Sequence, residues 1–320
     1  MNRIGEILTF LKKGGEYVSG DYMADQMKIS RTAIWKYIKQ LEGLGYKIDK
    51  VKGRGYHLRA IPDRLFPWEI EPHLETSFVG RDAVYRDAVE STNSLAYGLA
   101  LKNAADGTVV VTETQRAGRG RLKRLWFSPY AKNLYVSIIL RPQLHPSRIY
   151  PLTFMSSLAV FDTLEALGIQ PQLKWPNDVL VKGRKICGTL TELSVEADAV
   201  QFVVIGIGFN VNMKKIELAD EIRSTATSLL METKKAFERA RVCGMLLTNM
   251  EKYYRLVCDE GTEQICRIWE NRAGIKGKTL EVVQIDRTYR GVSEGVDHDG
   301  GLLLAIDGGI TKIIAGDVSV

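Results

Sequence analysis

Three apolar stripes at helical spacing, then two alternating stretches around Lys52-Gly53-Arg54-Gly55, fill the first sixty residues and leave few folds open. Ile4, Ile7, Leu8 and Leu11 recur at i, i+3, i+4 and i+7, one face of a first helix. Ser19 stands where the cap of a second short helix belongs, with Met23, Ala24 and Met27 as its apolar positions. After the break Lys28-Ile29-Ser30, RTAIWKYIKQLEGL reads as a third helix capped by Ser30, burying Ile34, Ile38 and Leu41 and stopping at Gly45. Two short helices joined by a tight turn are a helix-turn-helix pattern. The following YKIDKVKGRGYHLRAI reads as a hairpin with a basic tip, a wing.

The charge follows the same division. Residues 1–60 hold 12 Lys and Arg against 6 Asp and Glu, while the chain as a whole holds 44 against 38. The remaining 260 residues are therefore neutral, and the whole excess sits in the first fifth, as expected of a nucleic-acid-binding module on a neutral body. In that arrangement Ser30, Arg31, Thr32, Trp35, Lys36 and Lys39 of the third helix, with Lys52 and Arg54 of the wing, face DNA. Residues near the helix start reach base edges, and the lysines and wing contact phosphates. The competing reading is a helical docking domain with a solvated polar face.

Several classes are excluded. No apolar run approaches the roughly 20 residues of a membrane span. The start, MNRIGEILTFLKKGG, lacks a signal-peptide cleavage site. The four cysteines (187, 243, 258, 266) and four histidines (57, 73, 145, 298) lack zinc or disulfide spacing, so a cytoplasmic protein with reduced thiols and no protein metal site is expected. There is no G-x-x-x-x-G-K-[ST], no complete dinucleotide fingerprint and no G-x-S-x-G.

Ala60-Ile61-Pro62-Asp63 closes the wing, and Pro67 and Pro72 mark a linker over residues 63–76. From 77 onward, DGTVVVTETQ, NLYVSIILRP, QLKWPNDVLV, KICGTLTEL and AVQFVVIGIGFNVN read as strands, and residues 150–167 as a helix. This predicts an α+β domain over 77–268, a mixed sheet with helices on one face. Short strands with DHDGG and DGG turns predict a small β-barrel over 269–320, with Asp297-His298-Asp299 as a turn rather than a metal site.

Four segments carry candidate chemistry. Glu90-Ser91-Thr92-Asn93-Ser94 is a helix cap, which also exposes hydroxyls and N–H groups to a ligand. TETQRAGRGRLKRLWFSP packs arginine onto glycine; it is either a solvated loop or a nest for an anion, with forked donors at Arg119, Arg121 and Arg124. Trp126 is either core or a stacking platform. Lys174-Trp175-Pro176-Asn177-Asp178 is a rigid turn followed by Lys185 and Gly188, and Gly206-Ile207-Gly208-Phe209-Asn210 implies close approach of backbone or ligand.

In this order, ESTN, TQRAGRGR, KWPND, the lysine-to-glutamate run from Lys185 to Glu192, and GIGFNVN resemble bifunctional biotin–protein ligases that also act as biotin-operon repressors. The resemblance covers nearly the whole chain, and it is the ordered set that makes it specific. It implies a winged helix-turn-helix at 1–62, a class II aminoacyl-tRNA-synthetase-like ligase domain and an SH3-like C-terminal domain. It puts Ser91, Thr92, Asn93, Gln115, Arg119, Gly120, Arg121, Lys185 and Gly188 around biotin. It puts Arg119, Arg121, Arg124, Trp126, Lys174, Asn177 and Asn210 around ATP or the adenylate. Catalytic roles fall on Lys185, Arg119 and Asp178.

The implied substrates are biotin and ATP with Mg²⁺, the acceptor is a biotin carboxyl carrier protein, and the adenylate-bound homodimer binds operator DNA. One departure stands out, since many relatives have glycine where this chain has Lys123. Two other readings remain: a ligand-sensing transcription factor without catalysis, and a lipoate or other acyl-carrier ligase.

Overall fold

Ser19 and Ser30 begin the two helices of the turn motif by accepting backbone N–H groups with their side chains, from Asp21 at 3.2 Å and Ala33 at 3.1 Å. In this computed structural model, which describes residues 3–13, 16–284 and 286–319, the chain forms two compact units, residues 1–72 and 73–320. In the first, α1 (Arg3–Lys13), α2 (Gly20–Met27) and α3 (Arg31–Gly43) bury the predicted apolar stripes against one another. Lys28 and Gly45, at positive φ, end the second and third helices. β1 (Lys47–Val51) and β2 (Gly55–Ala60) pair as the antiparallel wing. Gly55 has no alternative, because a Cβ there would lie 2.1 Å from the Val18 carbonyl.

Much of the stretch expected as a linker packs within the first unit. Leu65, Phe66 and Ile70 are buried, and α4 (Pro67–Ile70) carries Glu69, itself buried. Glu69 accepts hydrogen bonds from Tyr46 Oη and Lys12 Nζ, both at 2.7 Å, so its charge is compensated where water does not reach it.

In the second unit, β3 (Ala83–Val89), α5 (Thr92–Ala100), β4 (Val109–Gln115), β5 (Leu134–Leu140) and α6 (Pro151–Ala166) come first. β6 (Gln172–Lys174), β7 (Asp178–Val181), β8 (Arg184–Glu196) and β9 (Ala199–Phe209) complete a seven-stranded sheet of order β3-β4-β5-β9-β8-β7-β6. Only β3 and β4 are parallel neighbours. Three helices follow, α7 (Leu229–Thr233), α8 (Arg239–Glu260) and α9 (Thr262–Ala273).

Helices cover both faces of this sheet, not one. α5 packs on the face bearing Val110, Ile139 and Val204. Thr153 of α6 bonds Thr191, which pairs in register with Ile205 and so points to the opposite face. Coverage on both sides explains why Leu134–Leu140 is buried at every position, a pattern that hides alternation from a reader of the sequence. α9 closes over α6 through Trp269, stacked on Phe154 at 4.3 Å with its Nε1 donating to Ser157 Oγ.

A buried ion pair, Arg239 to Glu113 at 2.8 Å, joins the start of α8 to β4, and Asn133 carries the link to Asn210. Removing one partner of such a pair strands a buried charge, costing about 3–5 kcal/mol.

The C-terminal segment is an antiparallel five-stranded sheet of order β13-β12-β11-β10-β14. Its strands are β10 (Thr279–Val283), β11 (Thr288–Val296), β12 (Leu302–Ile306), β13 (Gly309–Ile313) and β14 (Asp317–Ser319). In the turn before β12, Asp297 accepts the N–H groups of Asp299 and Gly301 and holds Lys312 Nζ at 2.5 Å. No helix among the described residues is long and apolar enough to cross a membrane.

Candidate active site

Gln115 ends β4 where the chain leaves the sheet, and the arginine-rich segment after it folds back as a narrow loop. Trp126 N–H donates to the Gly118 carbonyl and Gly120 N–H to the Arg124 carbonyl, each at 2.8 Å. Gly118 permits this, since a Cβ would meet the Trp126 carbonyl at 2.8 Å and Gln115 Nε2 at 2.9 Å. At the tip Leu122 and Lys123 have φ of 53° and 58°, the left-handed region that favours glycine. Position 123 is thus one where glycine would relieve backbone strain.

The loop borders a cavity of about 780 Å³, within the size range of small-molecule sites. Ser91, Thr92, Asn93 and Gln115 form one end of its lining, and Arg119, Gly120, Arg121, Arg124 and Trp126 the loop side. Asn177, Asp178, Lys185, Gly188 and Asn210 come from the β6–β7 turn and from β7, β8 and the end of β9. Lys174 is the one expected site residue outside the lining. It sits on β6, the outermost strand, one strand beyond Asp178.

The cations are stored as partnered charges. Lys185 Nζ lies 2.6 Å from Asp178 Oδ1 and 5.4 Å from the centre of the Trp126 ring. Arg124 pairs with Asp317 at 2.5 Å, Arg121 reaches Asn177 Oδ1 and the Gly316 carbonyl, and Arg119 donates to Ser94 Oγ at 2.6 Å. An anion entering the cavity therefore takes over donors that are already oriented. Beneath the indole the floor is glycine: a Cβ on Gly208 would lie 2.3 Å from Trp126. Trp126 Nε1 is buried without a hydrogen-bond partner. Burial raises the Cys187 thiol pKa, so this neighbour of Lys185 stays neutral.

Sequence reasoning missed the segment from Met213 to Ala226, which supplies Ala219, Ile222 and Thr225 to the lining. It is fixed by tertiary contacts: Lys185 N–H donates to the Thr225 carbonyl at 2.7 Å and Thr227 N–H to the Lys185 carbonyl at 2.9 Å. Its one signal in sequence is a long connection with no strand or extended helix, the kind of loop that carries function.

In the first unit, Arg31, Thr32, Trp35, Lys36 and Lys39 lie on the exposed side of α3, and Lys52 and Arg54 at the exposed wing tip. Ser30 serves as the cap of α3. Arg31, Lys39 and Arg54 each pair with an acid, Asp21, Glu42 and Glu16 respectively.

The chain matches the models of the Biotin/lipoate A/B protein ligase family over residues 85–210, an HTH domain over 3–57 and the Biotin protein ligase C terminal domain over 277–320. These define a biotin-class protein ligase joined to a helix-turn-helix module. The bifunctional ligase/repressor BirA of Bacillus subtilis is 38% identical over 312 residues, covering 97% of this chain and 96% of its own. The protein of the same name from Escherichia coli K12 is 29% identical, covering 98% and 96%. The chain belongs to this family of bifunctional biotin ligases and repressors. Among solved structures, the biotin protein ligase from Aquifex aeolicus in complex with biotin and ATP is similar, with a TM-score of 0.63 and 29% identity. It covers 75% of this chain and 98% of its own.

Proposed function

We propose that this chain activates biotin with ATP to biotinyl-5′-AMP, transfers biotin to a lysine of a biotin carboxyl carrier protein, and represses biotin genes as an adenylate-bound dimer. The observation that carries the ligase reading is one cavity combining Lys185, Arg119, Arg121, Arg124 and an indole with a polar end at Thr92 and Gln115. A non-catalytic sensor has no need of so many cations at one carboxylate.

In the first step a biotin carboxylate oxygen forms a bond to the α-phosphorus of ATP, and the α–β oxygen–phosphorus bond breaks to release pyrophosphate. In the second a lysine amine attacks the anhydride carbonyl, AMP leaves with the carbonyl–oxygen bond electrons, and the amine loses a proton. Both steps build negative charge, which Lys185, Arg119, Arg121 and Arg124 stabilise once the loop is ordered over the ligand. Asp178, beside Lys185, is the acceptor for the amine proton. Ser91, Thr92, Asn93, Gln115, Gly120 and Gly188 hold biotin; Trp126, Asn177 and Asn210 hold the nucleotide. Asp178 and Asp317 are engaged by Lys185 and Arg124, so Mg²⁺ fits as an ion arriving on the ATP phosphates, where it supplies charge neutralisation.

We divide the chain into a winged helix-turn-helix (1–62), a connecting segment (63–76) whose first part packs on that module, a class II synthetase-like catalytic domain (77–268) and an SH3-like barrel (269–320). DNA contacts fall on the exposed face of α3 and the wing, and a two-fold dimer presents two such modules to two half-sites. Four free cysteines fit a cytoplasmic setting.

Mixing the protein with biotin and ATP should release pyrophosphate and then label a carrier protein. Binding of biotin with no pyrophosphate favours the sensor, and displacement of biotin by free lipoate favours a broader acyl ligase. Sedimentation should show dimers with biotin plus ATP and not with biotin alone; equal association in both would remove the proposed coupling.

A further inference from the structure

Behind the cavity wall formed by Thr92 and Gln115 lies Ser137, fully buried on β5 and outside the cavity lining. Its Oγ is 2.6 Å from Asn93 Oδ1 and 2.8 Å from Thr92 Oγ1. A serine hydroxyl has one hydrogen, so it can donate to only one of them. The choice is made further out. Asn93 Nδ2 faces two pure acceptors, Glu192 Oε2 at 2.7 Å and the Leu190 carbonyl at 3.4 Å. That fixes the amide with Oδ1 toward Ser137. The Ser137 hydrogen therefore goes to Asn93, and Ser137 Oγ can only accept from Thr92.

The other neighbour of the Thr92 hydroxyl is Gln115 Oε1, at 3.1 Å. Its orientation is fixed in the same way, because Gln115 Nε2 donates to Ser128 Oγ and Ser128 donates to the Trp126 carbonyl. Both protein neighbours of Thr92 Oγ1 are thus acceptors. Its single hydrogen is committed inward, and toward the cavity it offers lone pairs alone.

We propose that Glu192, Asn93 and Ser137 act in series as positioning residues that make the Thr92 wall a hydrogen-bond acceptor, selecting a ring N–H over a ring oxygen at that place. Gly206 makes room for the series, since a Cβ there would lie 2.2 Å from Asn93 Oδ1. Glu192 stands at its outer end, one-third exposed, with its second oxygen 4.0 Å from Arg119. An acid outside the cavity thereby sets the hydrogen-bond polarity inside it. The inference rests on the biotin reading, because the ureido ring of biotin offers N–H donors.

Equilibrium binding to the full chain tests it, comparing biotin with the two cyclic carbamate analogues in which one or the other ureido N–H is a ring oxygen. The parent should prefer biotin over the weaker of the two by about 100-fold or more, because an oxygen there faces an acceptor. Ser137→Ala removes the nearer of the two acceptors and leaves the Thr92 hydrogen to Gln115 Oε1 alone, at 3.1 Å, a longer bond that gives way more readily to the cavity, and that preference should fall about tenfold. Glu192→Gln, a change at a one-third exposed side chain, lets the Asn93 amide turn over and should lower it about threefold.

Thermal melting separates loss of fold from loss of selectivity, and Glu192→Gln keeps the test decisive if Ser137→Ala is unstable. A parent that binds biotin, with its preference unchanged in the variants that fold, overturns this inference alone. So does an equal loss of affinity for all three ligands. A parent that binds none of them overturns the biotin reading as well.

Discussion

The two sides of the cavity are built on opposite principles. The wall at Thr92, Asn93 and Gln115 stands on α5, β4 and β5, and a chain of buried and half-buried hydrogen bonds fixes each group. The loop from Arg116 to Trp126 is largely exposed, with Leu125 at 83%, and holds its arginines through ion pairs and single hydrogen bonds at the surface. Surface pairs of this kind contribute about 0–1 kcal/mol, so they give way to a better anion. The rigid side is suited to choosing a ligand and the loose side to enclosing its charge. A reactive anhydride needs both, since it must be the right acyl group and must be kept from water.

The largest expected effect comes from Lys185→Ala, which removes the cation held between Asp178 and the Trp126 ring. Pyrophosphate release should slow about 100- to 1,000-fold, as for loss of one preorganised donor, while thermal melting stays close to the parent. A change of less than tenfold would move the charge stabilisation to the arginines alone.

On the framework side, Glu251 of α8 shows how firmly backbone is tied down. Burial alone would raise its pKa, but N–H groups of Phe78, Ser77 and Val79 outweigh it and hold the carboxyl at about 2. A depressed folded pKa contributes stability in full above the unfolded pKa of about 4.5, lost as pH falls toward 2. The contribution is about 2–3 kcal/mol, and Glu251→Gln should flatten that part of the stability–pH curve between pH 4.5 and 2. An unchanged curve would mean that the Glu251 carboxyl titrates alike in the folded and unfolded chain, so that the three N–H groups do not favour its ionised form.

On the loop side, Arg119→Gly should leave melting unchanged but release the adenylate about 10- to 100-fold faster, read as chase kinetics or as stray acylation of lysines. Retention equal to the parent would show that Arg119 is no clamp. The smallest effect belongs to Lys123→Gly, which relieves a left-handed residue at the tip and should shift loop ordering by about 1 kcal/mol or less. Ligand affinity measured with and without this change sets its sign.

What could be read in advance divides along the same line. Ser19, Ser30 and Gly45 are local signals, acting within three residues of themselves, and the helices they bound fall where their spacing put them. The ESTN, GRGR and KWPND segments converge on one cavity because each places its polar groups at the end of a strand or the start of a helix. Lys174 belongs to such a motif but sits on the outermost strand, a fact of sheet order that no local pattern carries. The Met213–Ala226 segment reaches the site by tertiary contacts, pairing with Lys185 among them, and Ser137 acts from inside a strand buried at every position. Coverage of both sheet faces was hidden for the same reason, since a strand buried on both sides shows no alternation.

Hydrogen–deuterium exchange of the full chain tests the contrast most directly, comparing residues 116–126 with residues 134–140 in three states: empty, with biotin, and with biotin plus ATP. The account predicts fast exchange of the loop when empty and strong protection with biotin plus ATP, while β5 stays protected throughout. A loop already protected in the empty protein, or a β5 that changes as much as the loop does, would contradict it.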